Sequence, residues 1–329
     1  MLGFTKPIAT VATNLVPRRG SWGGANQWAS QLARYLHFCG YQVRHDLRHP
    51  VDCIVMTHTG LSAGTSFQHG DVAEYRKRHP GVPCIQRIND NDVRKGSDRV
   101  DAYLSEANTV ADHTVFVSAW LRDYHAARWF DTSRSHSVIE PGADPAVFHP
   151  LGNRPPRPGE ALRIVTHHWS PHWLKGFDVY RDIDDAIADG RLKGFELWII
   201  GRWPDELHWK TARTFPPASG HTLAGLLRQC HLYVTASRDE PGAMHPVEGI
   251  QCGLPIVLHK ETGGSLSQCG AFGVTIESDV VKALESARDQ YEVLRARVLA
   301  GPPSGDVMCV SYRRLIQSLV AAARGRDLK

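Results

Sequence analysis

Apolar runs of strand length recur along this chain, each followed by a polar or glycine-bearing loop and then by a stretch of helical period. In the first half the strand candidates are Pro7 to Thr13, Tyr41 to Leu47, Asp52 to Thr57, Val82 to Ile88, Thr114 to Val117 and the short Val138-Ile139. Helical stretches lie between them at Ala25 to Phe38, Asp71 to Arg78, Arg99 to Val110 and Ala119 to Trp129, the first placing Trp28, Leu32, Tyr35 and Leu36 on one face. The second half repeats the pattern, with strands at Ala161 to Thr166, Gly194 to Gly201, His231 to Ala236 and Pro255 to His259. Its helices are His221 to Cys230, Val280 to Leu299 and Val310 to Arg324. Strands that alternate with helices pair in parallel, and parallel sheets bind ligands at the carboxyl ends of their strands. The loops leaving those strands are therefore where function is expected.

A chain of 329 residues is long for one core and suits two domains. Leu151 to Glu160, reading LGNRPPRPGE, is rich in Pro and Gly and reads as the linker between them. The net charge of +4 helps attract an anionic ligand but is too small to argue for nucleic acid. Seven scattered cysteines without a C-x-x-C pair speak against a disulfide framework and a structural zinc site. No signal-peptide core opens the sequence and no apolar run has the length of a membrane span. A reduced, cytoplasmic protein is the expectation, with peripheral membrane contact left open.

Ser237 to Gly264, SRDEPGAMHPVEGIQCGLPIVLHKETGG, is the densest stretch of signals. Glu240 and Glu248 stand eight positions apart, separated by a turn, Glu240-Pro241-Gly242-Ala243-Met244, and by His245-Pro246. Pro246 suits the first position of a helix, where its missing N–H costs nothing, and Glu248 then falls in the first turn, where the helix dipole favours a carboxylate. Gly253 closes that helix. Glu277 and Glu285 share the spacing but not this setting of loop glycine, proline and Cys252-Gly253-Leu254-Pro255 exit.

In that setting the segment resembles the E-x7-E signature of GT-B glycosyltransferases of the GT4 type, although Ala243-Met244 replaces the family's usual phenylalanine-glycine. Two more segments carry the resemblance. Val138 to Pro150, VIEPGADPAVFHP, resembles the segment that ends the family's first domain, with Pro141 in place of asparagine. Lys175-Gly176-Phe177-Asp178 resembles the lysine-glycine that opens the first helix of its second domain; His168-Trp169 stands where an arginine is usual, and Arg202 is a candidate replacement. Gly23-Gly24 resembles the glycine-rich loop after the family's first strand.

The resemblance implies an α/β fold of GT-B type: two Rossmann-like domains with parallel sheets facing across a cleft, residues 1–150 on the acceptor side and 151–305 binding the donor. The final helix, in 306–329, crosses back to the first domain. It also implies transfer of a sugar from a nucleotide-diphosphate sugar to a hydroxyl, with retention and without metal or other cofactor. Glu240 and Lys175 are then expected at the reacting centre. Gly23, Gly24, His168, Arg202, Glu248 and the amides of Gly242, Ala243 and Met244 are expected to hold the donor, with Glu248 taking the two ribose hydroxyls. The acceptor, a carbohydrate or a secondary metabolite, is left open, as are the base and the sugar. Two rivals keep the same fold: a nucleotide-sugar epimerase and a non-catalytic sugar-nucleotide-binding protein.

Gln86 to Gly96, QRINDNDVRKG, drives a strand straight into carboxylates, amides and basic groups, a density expected of a loop that binds something polar. Asn89, Asp90, Asp92 and Arg94 are the expected acceptor contacts, with Asp90 also near the chemistry. Asp90-x-Asp92 has the form of a divalent-cation site, and a self-satisfied turn is the other alternative. Three histidines, His167, His168 and His172, invite a metal reading, but the third lies behind a proline and no carboxylate accompanies them. His58, just past a strand end, is a further candidate.

Overall fold

A computed structural model describes residues 7–20, 22–57, 64–301 and 304–326; His58 lies outside them. The chain forms two compact units, one made of 1–19, 24–140 and 307–329, the other of 20–23 and 141–306.

The first unit runs β1 (Thr10–Thr13), α1 (Gly24–Phe38), β2 (Gln42–Arg44), β3 (Cys53–Met56), α2 (His69–Arg78), β4 (Cys84–Ile88), α3 (Asp92–Lys95), α4 (Val100–Asn108), β5 (His113–Phe116), α5 (Ala119–Ala126) and β6 (His136–Val138). Its six strands pair in parallel in the order β2-β1-β3-β4-β5-β6. β3 and β4 are buried at every position, because helices cover both faces of a parallel sheet. On α1, Trp28, Leu32 and Leu36 are buried and Tyr35 packs partly buried beside them.

The second unit runs β7 (Leu162–His168), a one-turn helix at Trp173–Lys175, α6 (Phe177–Ala188), β8 (Phe195–Gly201), β9 (Arg213–Phe215), α7 (Gly220–Leu227), β10 (Leu232–Thr235), α8 (Met244–Gln251), β11 (Ile256–His259), α9 (Gly264–Cys269), a second short turn at Gly270–Phe272, β12 (Gly273–Ile276), α10 (Val280–Asp289) and α11 (Tyr291–Ala300). Its sheet, also all parallel, has the order β12-β11-β10-β7-β8-β9. The chain winds outward from β7 through β8 and β9, then returns to β10 on the other side of β7. The carboxyl ends of β7 and β10 thus flank a topological switch point, the place where sheets of this kind open a crevice. A last helix, α12 (Gly305–Arg326), adds Met308, Cys309, Tyr312, Ile316 and Val320 to the core of the first unit, with Tyr312 edge-on to Trp28 at 5.5 Å. Burial of such side chains contributes roughly 1.5–3 kcal/mol each.

Several expectations change. The second unit begins at Pro141, not after Pro150, because Ala143 and Phe148 are buried in its core. β7 extends through both His167 and His168, whose side chains are buried. The single helix expected at Val280 to Leu299 is two, broken at Gln290, so that Leu284 and Leu294 can both face inward. The edge strands β9 and β12 were not legible as strands: one is exposed and carries an arginine, the other opens on glycine. Finally, α8 starts at Met244, so Pro246 is its third residue and Glu248 sits in the second turn. Proline is tolerated there for the same reason as at the first position, since the first N–H groups of a helix have no partner within it.

Candidate active site

The switch point of the second unit gathers side chains from four segments. β7 delivers His167 and His168; the turn after it delivers Lys175; the loop after β10 delivers Glu240; α8 delivers Glu248. Lys175 Nζ donates to Glu240 Oε2 at 3.0 Å, with the two side chains 17% and 12% exposed. The turn beneath them admits only glycine at 176. Its φ is +88°, and a Cβ there would stand 2.4 Å from the carbonyl oxygen of Ala236, so Gly176 lets the lysine turn lie directly against the end of β10.

The loop carrying Glu240 is held from several sides. Arg238 forks onto the Asp178 carboxylate at 3.1 and 2.7 Å, and its N–H donates to the Leu174 carbonyl. Asp239 adopts a left-handed backbone (φ 50°), the one such non-glycine residue among those described, with its N–H on the Glu261 carbonyl. Aspartate is among the few residues that tolerate this conformation. The Gly264 N–H then donates to the Glu240 carbonyl at 2.8 Å. No side chain caps α8 at Ala243, so the positive end of its dipole is presented at this loop. Of the three amides expected to meet the donor, that of Ala243 donates to the Ser265 hydroxyl at 3.3 Å.

Glu248 is buried and accepts from His167 Nε2 at 2.8 Å. His167 as a partner of Glu248 was missed by sequence reasoning; the signal was the strand-end histidine pair, whose other member drew attention in place of the arginine. His168, expected as a donor contact, instead turns into the interior. Its Nε2 lies 2.9 Å from both Thr166 Oγ1 and the Tyr180 hydroxyl, and its ring stacks on Tyr180. Burial, and then the nearby His245, Lys175 and His167, push this imidazole well below its usual pKa and keep it neutral.

Arg202 donates from its guanidinium to the Trp169 carbonyl at 3.1 Å and lies 4.2 Å from that tryptophan's ring centre. Trp169 in turn packs on Trp22 at 5.5 Å. Trp22, Trp169 and Arg202, with Phe215, Pro216 and Pro217, line part of a cavity of about 970 Å³ at the ends of β8 and β9. Lys175, Glu240 and Glu248 are not among its walls; Trp169, which is, directly follows His168 at the end of β7. Gly23 belongs to the second unit and has φ +81°, whereas Gly24 opens α1 of the first.

In the first unit, the loop after β4 is bound mostly to itself. Lys95 Nζ meets Asp90 Oδ2 at 2.8 Å, and Asn91 caps α3 by accepting from the Arg94 N–H at 2.7 Å. Asp92 Oδ1 accepts from the Val100 N–H at 2.7 Å, an oxygen spent on starting α4, and Arg94 is buried. Asn89 accepts from the Thr57 hydroxyl at 2.9 Å. His125, fully buried, holds the Asp90 carbonyl through Nε2 at 3.1 Å while its Nδ1 accepts from Trp129 Nε1. Among the described residues, no group of three or more His, Cys, Asp or Glu side chains is arranged to hold a metal ion.

No protein-family model matches the sequence, and no curated protein does. Solved structures do match. HepE from Anabaena, solved with UDP, is similar with a TM-score of 0.69 at 13% identity, over 94% of this chain and 100% of that one. The catalytic domain of starch synthase IV from Arabidopsis thaliana, bound to ADP and acarbose, gives 0.67 at 13% identity over 96% and 100%. A sucrose-phosphate synthase from Thermosynechococcus elongatus gives 0.65 at 14% identity over 95% and 99%. The chain has the GT-B fold of these proteins, two Rossmann-like halves each built on a six-stranded parallel sheet. No helix among the described residues is long and apolar enough to cross a membrane.

Proposed function

We propose that the protein transfers a glycosyl group from a nucleoside-diphosphate sugar to a hydroxyl acceptor, with retention of configuration and without a metal ion. The observation that carries this reading is the Lys175–Glu240 pair at the switch point, beside the uncapped start of α8. The bond from the anomeric carbon to the diphosphate breaks, the acceptor oxygen bonds to that carbon, and the acceptor's proton passes to the departing phosphate. Lys175 and the dipole of α8 neutralise the charge that develops on the diphosphate. Glu240, released as the diphosphate takes up Lys175, accepts hydrogen bonds from hydroxyls of the transferred sugar. Glu248 accepts from the ribose. The cavity beside Trp169 has the aromatic walls and volume suited to a nucleoside base. In the first unit Asn89 and Asp90 serve the acceptor, and Asp92 sustains the loop. The setting is cytoplasmic, in keeping with seven free thiols.

A thermal-shift screen of UDP, ADP, GDP and dTDP tests the donor half, since a ligand that binds only the folded state raises its melting temperature. Incubation of the matching sugar nucleotide with and without an acceptor panel tests the transfer. Epimerised donor without acceptor, or binding without turnover across the panel, would replace this reading with one of its rivals.

A further inference from the structure

Glu248 has one oxygen already engaged. Oε2 takes the His167 contact at 2.8 Å, in a pair whose side chains are 11% and 5% exposed for the histidine and the glutamate. A carboxylate only accepts, so the proton of that bond is on His167 Nε2. The opposite edge of the ring is held as well: Nδ1 lies 3.0 Å from the Tyr233 hydroxyl, which also receives the backbone N–H of His167 at 3.3 Å. Gly249 makes the arrangement possible, because a Cβ there would stand 2.4 Å from the Tyr233 ring and push α8 off β10. Oε1 of Glu248 takes no hydrogen bond from the described residues, and it is not among the polar atoms sealed without a partner.

We infer that His167 is a positioning residue: clamped by Tyr233, it ties up Oε2 so that Glu248 presents a single oxygen, Oε1, and reads one ribose hydroxyl of the nucleotide instead of both. This rests on the proposal that Glu248 faces the ribose. It revises the expectation drawn from the sequence, in which one carboxylate matches a vicinal diol. The contribution of the histidine is to selectivity: a carboxylate free to rotate would pair with either hydroxyl.

Calorimetric titration of UDP and ADP, each beside its 2′-deoxy and 3′-deoxy forms, tests the inference. The wild-type protein is expected to lose about tenfold in affinity for one deoxy form, the worth of a hydrogen bond to a charged group, and less than about threefold for the other. His167→Ala should bring the two deoxy forms within about threefold of each other. His167→Gln, which keeps an N–H donor for Oε2, should restore the difference; that restoration is what a merely structural role would not give. Circular dichroism confirms folding, and if His167→Ala does not fold, the wild-type and His167→Gln titrations decide. Equal losses for both deoxy forms in the wild type, abolished together in Glu248→Ala, would overturn the positioning role and leave the ribose reading intact. A wild-type difference that survives Glu248→Ala would overturn the ribose reading itself.

Discussion

The two units present polar groups at their strand ends in opposite ways. After β4 of the first unit, Asp90, Asn91 and Asp92 find partners at Lys95, Arg94 and Val100, all within the next turn or two of chain. At the switch point of the second unit, Lys175 meets Glu240 across 65 residues and His167 meets Glu248 across 81. The first arrangement is a loop that shapes itself. The second exists only when β7 and β10 are side by side, so its geometry is set by the sheet and its partners are shielded from water. A shielded pair is costly to break, because the survivor is left as a buried charge, whereas a rim pair is worth about 0–1 kcal/mol. On the proposed function, that difference places the chemistry in the second unit and adaptable recognition of the acceptor in the first.

Lys175→Ala is the sharpest way to break this contrast. Turnover of the sugar nucleotide should fall roughly a hundredfold to a thousandfold, the range seen when one preorganised charge-stabilising group is removed. A loss below about threefold in steady-state rate would remove Lys175 from the chemistry. Asp90→Ala should cost less. Transfer to the acceptor is expected to drop by about tenfold, the worth of one charged hydrogen bond, while nucleotide affinity and melting temperature barely move. If calorimetry showed nucleotide binding falling in parallel, the loop would belong to the donor instead.

Smaller effects sharpen the comparison. His231, at the base of β10, accepts from the Arg163 N–H through Nδ1 at 2.9 Å, and burial, reinforced by the Arg163 charge, lowers its pKa to about 4. The folded state therefore binds fewer protons than the unfolded chain between about pH 6.5 and 4, so its stabilising effect is complete above that window and lost as pH falls through it. The melting temperature should decline from pH 7 to pH 5, and His231→Gln, which keeps an acceptor, should flatten that decline; equal slopes would assign the acid sensitivity elsewhere. The smallest effect is expected from chelation. EDTA should leave transfer unchanged, and activity lost in EDTA and restored by manganese would return Asp90-x-Asp92 to consideration as a cation site.

What could be read from the sequence follows the same divide. The βα alternation was legible because it is a local pattern, and the return of the last helix followed from the family resemblance. Glu240 and Lys175 stood out as local motifs, and the fold brings the two within 3.0 Å of each other. Glu248 was legible as a residue, but its partner was not. His167 and His168 are adjacent and chemically identical, and only the pleat of β7 sends one toward α8 and the other toward Tyr180. The start of α8 was misplaced because Pro246 satisfies the same steric rule at the third position as at the first. Trp22 gave no signal at all, since its packing on Trp169 joins residues far apart in the chain.

The central claim is that Glu240 and Glu248 divide the donor between them, one serving the sugar and the other the nucleotide. Calorimetry with the free nucleoside diphosphate, alongside turnover of the sugar nucleotide, tests it on four single variants. Glu248→Ala should weaken the free diphosphate on the order of tenfold to a hundredfold, and Glu240→Ala should spare it while depressing turnover. Glu277→Ala and Glu285→Ala, exposed or half-exposed beside and within α10, should change neither quantity. Four variants that behave alike would contradict the claim.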